Sequence, residues 1–560
     1  MITEKSVTFS LVMPCGPKSE QSIKKAIESI LDQDYDSWEL ICVVNGDWKG
    51  RKKTENIILH YCKKDVRIRI KEMDEGNVCD ARNYGAEYSW GEYISFFSSD
   101  FYMFPGALKK WKETFDEHKE ADFVYSGYRL MKNGDMQEMF VPSRPFDSWE
   151  LEIEPYIDGG FPVKRKVWEK CKWDPKIKSL NDWDWWISIS RAGFKGYFML
   201  DMTYAAEMPK AGGLSVDSSR NWLERVGAIK KKWNIPDRDI CVVSLGAAPH
   251  GKKLAKILDA DFRVAPQNKP HNYKMLYLIG FYIGDGTSAM AHANVFKNAR
   301  NAIHIIHWIG SDVLQLMSVG WKVPYNELKV LIDSLNNRVN LSEFILSQNE
   351  LETMGIKTKI IPLPVEDKFG FMPLPNKKFT VAIYAPRTRT ADYIYNMKLM
   401  KDIAKSCPQW DFVFFGGGTD LKAKNVTNEG WVPMKELVAK CHCLLRIAYH
   451  DGMPITPIEF RMAGRDTITS VEMPYMWHGG SGIIHDDNYV QKKEGLIKLL
   501  KEISKKQGTG SWNREAKKAR EYYLKLNDVD KYKESIYKVL NERDTEHSKI
   551  RTSSTKRKKS

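Results

Sequence analysis

Mainly apolar segments that end in polar residues constrain the fold of the first part of this chain. Residues 7–14 predict a buried strand, and residues 19–33 follow with apolar side chains at helical spacing. Residues 39–44 predict a second buried strand, which completes a β-α-β unit. Strand and helix patterns alternate to about residue 235. This alternation predicts an α/β fold with a mostly parallel sheet.

The alternating pattern starts again at two later points of the chain. Residues 239–245 predict a new buried strand, and further strands are predicted at 302–306, 343–346 and 358–362. A proline-rich stretch at 362–375 separates these from strands predicted at 379–384 and 410–415. Because 560 residues are too many for one core, we expect several domains. The predicted segments are 1–235, 236–375, 376–543 and a disordered basic tail at 544–560.

Charge and cysteine content indicate which partners and which cellular location to expect. Lys and Arg number 86 against 72 Asp and Glu, a net charge of +14, and six of the basic residues fall in the last twelve. Such a tail suits nucleic acid or an anionic membrane surface as a partner. The nine cysteines are irregularly spaced, and neither a secretory signal nor a membrane-spanning apolar stretch is evident. We therefore expect a cytoplasmic protein, at most peripheral to a membrane.

Polar residues that follow the predicted strands are the candidate site residues, because open α/β sheets bind ligands at the carboxyl ends of their strands. The first two strands end near Pro14, Asn45 and Asp47. An Ala-Arg-Asn-x-Gly segment around Arg82 follows, and the next strand ends in Ser98-Ser99-Asp100. A later acidic and aromatic segment, 181–186, reads Asn-Asp-Trp-Asp-Trp-Trp.

These motifs, in this order over residues 7–215, resemble the family 2 glycosyltransferases of GT-A fold. The resemblance implies a nucleotide-sugar donor, with its nucleotide contacted by Pro14, Asn45, Asp47, Arg82 and Ser98. It also implies that Asp100 holds Mn²⁺ or Mg²⁺ against the donor diphosphate, since such cations prefer hard oxygen ligands. An acid is usual in the family at the position of Ser98, so this chain offers one carboxylate there.

The same resemblance implies that a residue of the family's acidic pair, which corresponds to Asn181-Asp182 in this chain, is the general base. An acceptor hydroxyl has a high pKa and needs a base within hydrogen-bond reach. The matching position is Asp182, with Asp184 as the second candidate. Trp185 and Trp186 are expected to form an apolar wall or a surface on which a sugar stacks.

A different resemblance appears in the second half of the chain. The segments 307–312 and 346–350 are typical of the first half of a GT-B glycosyltransferase, and residues 451–464 resemble the E-x7-E segment of family 4. This implies that Glu459 holds the donor ribose and that Asp451 lies near the donor sugar. Gly452 would present backbone amides to the diphosphate. Arg387 or Arg389 would contact the phosphates, and no metal is expected in this half.

The sequence thus predicts a bifunctional enzyme that transfers sugars to a hydroxyl acceptor such as a polysaccharide, glycan or glycoprotein. Two alternatives stay open at this point. One is a viral-type glycosyltransferase that acts on hydroxymethylated bases of DNA, which the basic tail would suit. The other is a non-catalytic sugar-binding scaffold, which the single acid at Asp100 would suit.

Overall fold

The computed structural model describes residues 7–16, 20–208, 221–244, 248–264, 273–283, 302–320, 322, 324–386, 394–450, 453–480 and 488–542. The chain divides into two compact units, Met1–Asp237 and Arg238–Ser560. Both units contain parallel strands joined by helices, so the α/β fold predicted from the alternating pattern is confirmed. The tail predicted at 544–560 lies outside the described residues.

The first unit begins with alternating strands and helices and becomes less regular after its sixth strand. Its elements are β1 Phe9–Cys15, α1 Glu20–Leu31, β2 Trp38–Asn45, α2 Arg51–Lys64, β3 Ile68–Met73, α3 Val78–Glu87, β4 Tyr93–Ser95, β5 Phe101–Met103, α4 Ala107–Glu117, β6 Phe123–Tyr125, β7 Tyr128–Lys132, β8 Asp135–Val141, α5 Ser148–Ile153, β9 Val163–Lys164, α6 Arg165–Lys170, α7 Asn181–Arg191, β10 Gly196–Phe198, β11 Tyr204–Glu207 and α8 Trp222–Lys232.

A seven-stranded sheet forms the centre of this unit, in the order β10-β6-β9-β4-β1-β2-β3. All its pairings are parallel except those of β9. Strand β1 is buried on both faces, as expected of a central parallel strand covered by helices. Helix α1 turns Ile23, Ala26, Ile27 and Ile30 inward, which is the face that its sequence predicts.

A second sheet of the first unit, in the order β5-β11-β7-β8, was not predicted. Strand β11 pairs antiparallel with β5 and parallel with β7. Strands β7 and β8 form a local hairpin across Asn133-Gly134, but β5 and β11 come from distant parts of the chain, so no local pattern predicts that these two join the hairpin in one sheet. Their consequence for the site is that β5, which begins directly after Asp100, lies beside β11.

The second unit contains two parallel sheets. The first has the order β13-β12-β14-β15-β16-β17 and is built from β12 Ile240–Ser244, α9 Ala248–Ile257, β13 Asp261–Val264, β14 Met275–Ile279, β15 Ile303–Trp308, α10 Ser311–Gly320, α11 Tyr325–Asn336, β16 Val339–Ser342, α12 Ile345–Thr353 and β17 Lys359–Ile360. The strand predicted at 343–346 is wrong. The chain leaves β16 at Ser342 and enters α12 at Ile345, and short apolar runs do not distinguish a strand from the start of a helix.

The second sheet of this unit has the order β20-β19-β18-β21-β22-β23. Its elements are β18 Thr380–Tyr384, α13 Met397–Ser406, β19 Asp411–Phe415, β20 Val426–Asn428, α14 Met434–Lys440, β21 Cys443–Arg446, α15 Ile455–Met462, β22 Asp466–Thr469, β23 Trp477–His478, α16 Tyr489–Lys506 and α17 Gly510–Leu526, with a last helix at 529–542. Numbered within the sheet, the order is 3-2-1-4-5-6, that of a doubly wound nucleotide-binding sheet. All its pairings are parallel.

Two properties of the whole chain bear on its surroundings. In the part of the chain that the structure describes, no helix is both long enough and apolar enough to cross a bilayer. All nine cysteines are free thiols, and eight of them are buried.

Candidate active site

The carboxyl ends of the central strands bring the first group of candidates to one edge of the sheet. Strand β1 lies between β2 and β4, and Pro14 is paired in register with Val43 near the end of β2. Asn45 ends β2, and its amide donates to the carbonyl of Gly76 (3.2 Å). Asp47 is exposed. The structure therefore places these residues at the predicted edge, where their roles toward a nucleotide stay predictions.

Asp100 lies where the chain passes from β4 to β5. The hydroxyl of Ser98 donates to its carboxylate (2.5 Å), and its backbone carbonyl accepts from the amide of Glu207 (3.1 Å). Asp100 also borders a cavity of about 190 Å³, which Lys25 and Glu207 line as well. The Ser98 hydroxyl thus bonds to Asp100 itself, which fixes the direction of the carboxylate.

The donor set around Asp100 decides which kind of metal site it suits. No group of three or more His, Cys, Asp or Glu side chains that could hold a metal occurs among the described residues. Mg²⁺ typically takes one or two carboxylates, with substrate phosphates and waters as its other ligands. A single carboxylate fits a cation that arrives with a diphosphate.

Helix α3 carries the Ala-Arg-Asn-x-Gly segment close against the sheet. The side chain of Asn77 accepts hydrogen bonds from the amides of Cys79 and Asp80, and the carboxylate of Asp80 accepts one from the backbone amide of Asn77. This capping box fixes the start of the helix. A methyl group at Gly85 would lie 2.5 Å from Cγ1 of Val12 and 2.8 Å from Cγ2 of Val43. The glycine therefore allows α3 to approach β1 and β2 closely.

Arg82 and Asp182, predicted from segments a hundred residues apart, meet in the structure. The Arg82 guanidinium donates to Oδ1 of Asp182 (2.8 Å) and to the side chain of Asn181 (3.3 Å). It also covers the Trp173 ring at 4.0 Å, and that ring stacks on Trp185 at 4.1 Å. Arg82 is thus held between a carboxylate and an aromatic stack, while the Asp182 side chain keeps 37% of its surface exposed.

Asn83, next to Arg82 in α3, holds the aromatic stack in place. Its amide group donates to the carbonyl of Trp173 (2.8 Å) and accepts from the Trp173 amide (3.1 Å). It also accepts from the indole of Trp168 (3.2 Å). Asn83 therefore holds Trp173 in position, and Arg82 lies on the ring of Trp173.

Asp184 lies in a different environment from Asp182. Its carboxylate accepts from Lys232 (2.7 Å) and from the indole of Trp233 (2.7 Å), and it is buried. These contacts tie α7 to the end of α8. Residues two apart on a helix do not face the same side, so the Asp182 carboxylate stays partly exposed while Asp184 faces the core.

The two tryptophans after Asp184 are also core residues. Trp185 and Trp186 are at most 1% exposed, and their indoles donate to the carbonyls of Cys171 and Asp158. The expectation that either forms a surface for sugar stacking is therefore wrong. Aromatic side chains of an amphipathic helix pack inward, and here Trp185 stacks on Trp173, the ring that Arg82 covers.

Sequence reasoning missed Asp158, which lies close to Asp182. Asp158 begins an Asp-Gly-Gly segment between α5 and β9, and the Tyr204 hydroxyl donates to its Oδ1 (2.7 Å). Burial, followed by the negative charge of Asp182, raises the pKa of Asp158 to about 6. Two consecutive glycines after an acid are the signal that could have identified it, because they let backbone approach other groups closely.

The second unit places fewer of its candidates. Asp451, Gly452, Arg387 and Arg389 lie outside the described residues. Glu459, on α15, is buried, and Lys368 lies 3.5 Å from its carboxylate. Burial raises the pKa of Glu459, while Lys368 and Lys253 act in the opposite direction. Burial and the charge of Lys368 lower the pKa of Lys253, which also lies 3.6 Å from the carboxylate of Glu366, so two lysines and two acids lie close together.

Comparison with known proteins agrees with the geometry of the first unit. Residues 10–166 match the model of Glycosyl transferase family 2. An uncharacterized glycosyltransferase of Methanocaldococcus jannaschii is 30% identical over 197 residues, which is 33% of this chain and 66% of that protein. TuaG of Bacillus subtilis, provisionally assigned as a glycosyltransferase of teichuronic acid biosynthesis, is 28% identical over 181 residues, covering 32% of this chain and 70% of its own.

Solved structures add a weaker likeness. A crystal structure of S. aureus TarS, residues 1–349, in complex with UDP-GlcNAc covers 41% of this chain and 68% of its own, at 16% identity and a TM-score of 0.32. The likenesses described here concern part of each protein, and this chain spans just under two thirds of the M. jannaschii relative. On the match over residues 10–166, the first unit of this chain carries a glycosyltransferase domain of family 2.

Proposed function

We propose that the first unit is a nucleotide-sugar-dependent transferase of GT-A fold whose general base is Asp182. The observation that carries this proposal is the Arg82–Asp182 pair. It presents a partly exposed carboxylate at the start of α7, paired with an arginine of the region that matches family 2. A carboxylate that is oriented and partly exposed in this way can accept the proton of an acceptor hydroxyl.

The reaction is a single substitution at the sugar. The acceptor oxygen forms a bond to the anomeric carbon as the bond from that carbon to the donor diphosphate breaks, and the hydroxyl proton passes to Asp182. Mn²⁺ or Mg²⁺, when bound, neutralises the charge of the departing diphosphate. Asp100 is the residue that would hold it, with the Ser98 hydroxyl fixing the carboxylate. Pro14, Asn45 and Asp47 would border the nucleotide.

The acceptor proposed is a glycan, most simply a growing surface polysaccharide. TuaG, which resembles residues of the first unit, is named for teichuronic acid biosynthesis. Free thiols throughout the chain support the predicted cytoplasmic location, where nucleotide sugars and reduced cysteines occur together. Contact with an anionic membrane through the basic tail would bring the enzyme to a lipid-linked acceptor.

For the second unit we propose a GT-B-like module with its own nucleotide-sugar site. Two parallel six-stranded sheets support this, and the second has the strand order of a nucleotide-binding sheet. Glu459 would hold the ribose. The nearby Lys253 and Lys368 supply positive charge without a metal. The chain would then be bifunctional, transferring two sugars in succession to one acceptor.

Thermal-shift titration of the full chain with UDP-, GDP-, CMP- and dTDP-sugars, with and without Mn²⁺, tests the first site. We expect at least one donor to raise the melting temperature in a Mn²⁺-dependent way, and Asp100→Ala to abolish that dependence. Asp36→Ala is the matched control, since Asp36 is an exposed acid just before β2, at the opposite edge of the sheet. A chain that none of these donors stabilises would contradict the proposal.

Calorimetric stoichiometry tests the second site. Wild-type protein is expected to bind two nucleotide sugars per chain, with Asp100→Ala removing one binding event and Glu459→Gln the other. A stoichiometry of one that Glu459→Gln leaves unchanged would show that the second unit has no such site.

A further inference from the structure

The Asp158-Gly159-Gly160 segment packs between two parts of the proposed site. A methyl group on Gly159 would lie 2.6 Å from Oδ1 of Asp182, so the carboxylate rests against the backbone there. A methyl group on Gly160 would lie 2.7 Å from the Phe101 ring, which follows Asp100 in the chain. The main chain of the two glycines therefore lies against Asp182, the proposed base, and against Phe101, the residue after Asp100.

One oxygen of Asp158 is fully engaged by the protein. Oδ1 accepts from the Tyr204 hydroxyl (2.7 Å) and from the amide of Gly160 (2.9 Å). The Tyr204 ring is stacked between Phe101 (4.8 Å, 12°) and Tyr128 (5.5 Å, 14°). Since a ring held on both faces cannot swing away, Oδ1 has a fixed position, and the orientation of the carboxylate is set with it.

The other oxygen of Asp158 is available. No described group donates a hydrogen bond to Oδ2. Oδ2 is also not a fully buried atom, so it can be reached from outside the protein. Asp158 as a whole is only half-buried. An oriented carboxylate with one engaged and one accessible oxygen is a preorganised acceptor of a hydrogen bond from outside the protein.

The charges around Asp158 favour a neutral hydrogen-bond donor over a cation or an anion. Asp182 and Arg82 are the charged side chains that act on it, in opposite directions, and Tyr204 and Tyr128 are the titratable hydroxyls beside it. A second acid near the base disfavours an anionic ligand, and Arg82 balances part of the negative charge. A sugar hydroxyl fits this surroundings.

We infer that Asp158 binds the acceptor, and that its Oδ2 accepts a hydrogen bond from a second hydroxyl of a polyol whose reacting hydroxyl faces Asp182. The inference rests on the proposed function of the first unit. It identifies the acceptor as a molecule with at least two neighbouring hydroxyls, as in a sugar ring, and it makes Asp158 a residue that decides which hydroxyl is glycosylated.

The test compares acceptors that differ by one hydroxyl. Transfer would be measured to the methyl glycosides of glucose, galactose, mannose and N-acetylglucosamine, and to monodeoxy analogues of the best of them. A hydrogen bond to a charged group contributes about 1.5–3 kcal/mol, so removing the bound hydroxyl is expected to lower kcat/KM about 10- to 150-fold. In Asp158→Ala this discrimination should collapse to a few-fold, because the partner of that hydroxyl is gone.

Two further variants separate binding from folding. Asp158→Asn keeps the shape and can still accept from Tyr204, so it guards against loss of structure in the alanine variant. Tyr204→Phe removes one of the two bonds that orient the carboxylate and leaves the bond from Gly160, so it should weaken the discrimination less than Asp158→Ala does. Donor-induced thermal shifts report whether each variant is folded.

Failure of the inference about Asp158 can be distinguished from failure of the proposed function. Discrimination against a deoxy analogue that survives in Asp158→Ala overturns the inference. Donor hydrolysis without transfer to any of the glycosides overturns it as well, while the donor chemistry stands. A chain that neither binds nor hydrolyses any donor contradicts the proposed function itself.

Discussion

The guanidinium of Arg82 lies 2.8 Å from Oδ1 of Asp182 and covers the ring of Trp173 at 4.0 Å. The two contacts hold the carboxylate in one direction without burying it. A base for a hydroxyl needs this combination, since it must be both oriented and reachable by the acceptor. The pair therefore gives the sharpest predictions about activity.

Replacing Asp182 with Asn should lower transfer about 10²- to 10⁴-fold, the usual contribution of a general base. The amide keeps the size of the side chain and still accepts from Arg82, so donor binding should persist. Steady-state transfer rates and donor-induced thermal shifts, measured on the same preparation, check this. A variant with near-normal kcat would show that the base lies elsewhere.

Asp184→Asn is the matched control, with the same change two residues further along the same helix. It should lower stability by about 1–3 kcal/mol, because the buried carboxylate loses its ion pair with Lys232, which retains Asp174 as a partner. Transfer per folded molecule should stay near the wild-type value. A hundredfold loss of kcat at unchanged melting temperature would return Asp184 to the list of catalytic candidates.

Gly85→Ala should destabilise the first unit by about 1–3 kcal/mol, because the new methyl group overlaps Val12 and Val43. Gly227→Ala in α8 is the comparison, since nothing lies within 4 Å of a methyl group there. That change should leave stability unchanged or raise it by up to about 1 kcal/mol. Urea unfolding of both variants measures the difference, and equal midpoints would mean that α3 does not need this close approach.

Acid should destabilise the second unit through His307. This residue is fully buried at the end of β15, bonded to the Tyr277 hydroxyl, and burial lowers its pKa to about 3. The folded state therefore binds fewer protons than the unfolded state between about pH 3 and 6.5, and stability falls as pH falls through that range. The slope is about 1.4 kcal/mol per pH unit for one such group.

His307→Gln should remove that slope, while His478→Gln, at an exposed position on β23, should not. The free energy of unfolding of the second unit, followed by denaturant titration at pH 5, 6 and 7, provides the measurement. If all three proteins lose stability in parallel, carboxylates and not His307 control the acid sensitivity.

Local patterns could predict much of this molecule. Apolar strands with polar ends led to Asn45 at the end of β2 and to Asp100 just after β4, because the direction of parallel strands fixes where their ends meet. Arg82 and Asp182, which lie on the helices α3 and α7, follow from the family resemblance. Helical geometry could also have separated Asp182 from Asp184, since residues at i and i+2 point to different sides.

Contacts between distant segments could not be predicted in this way. The role of Asp158 depends on Tyr204, which lies 46 residues later on a strand of the second sheet. That sheet is assembled from short strands whose pairing is decided by packing. The burial of Trp185 and Trp186 likewise follows from how α7 sits on the core, which the composition of the helix alone does not reveal.

The hydrogen bonds of Asn83 carry a consequence for how this chain can evolve. Asn83 anchors Trp173, and Trp173 supports Arg82, the partner of the proposed base. A related protein with its base at another position would therefore have to change Asn83, Trp173 and Arg82 together, and each change alone would be destabilising. Among the described residues, the side chain of Asp158 accepts hydrogen bonds from Tyr204 and from its own loop. Divergence toward new acceptors should therefore begin at Asp158, with the Arg82 assembly inherited unchanged.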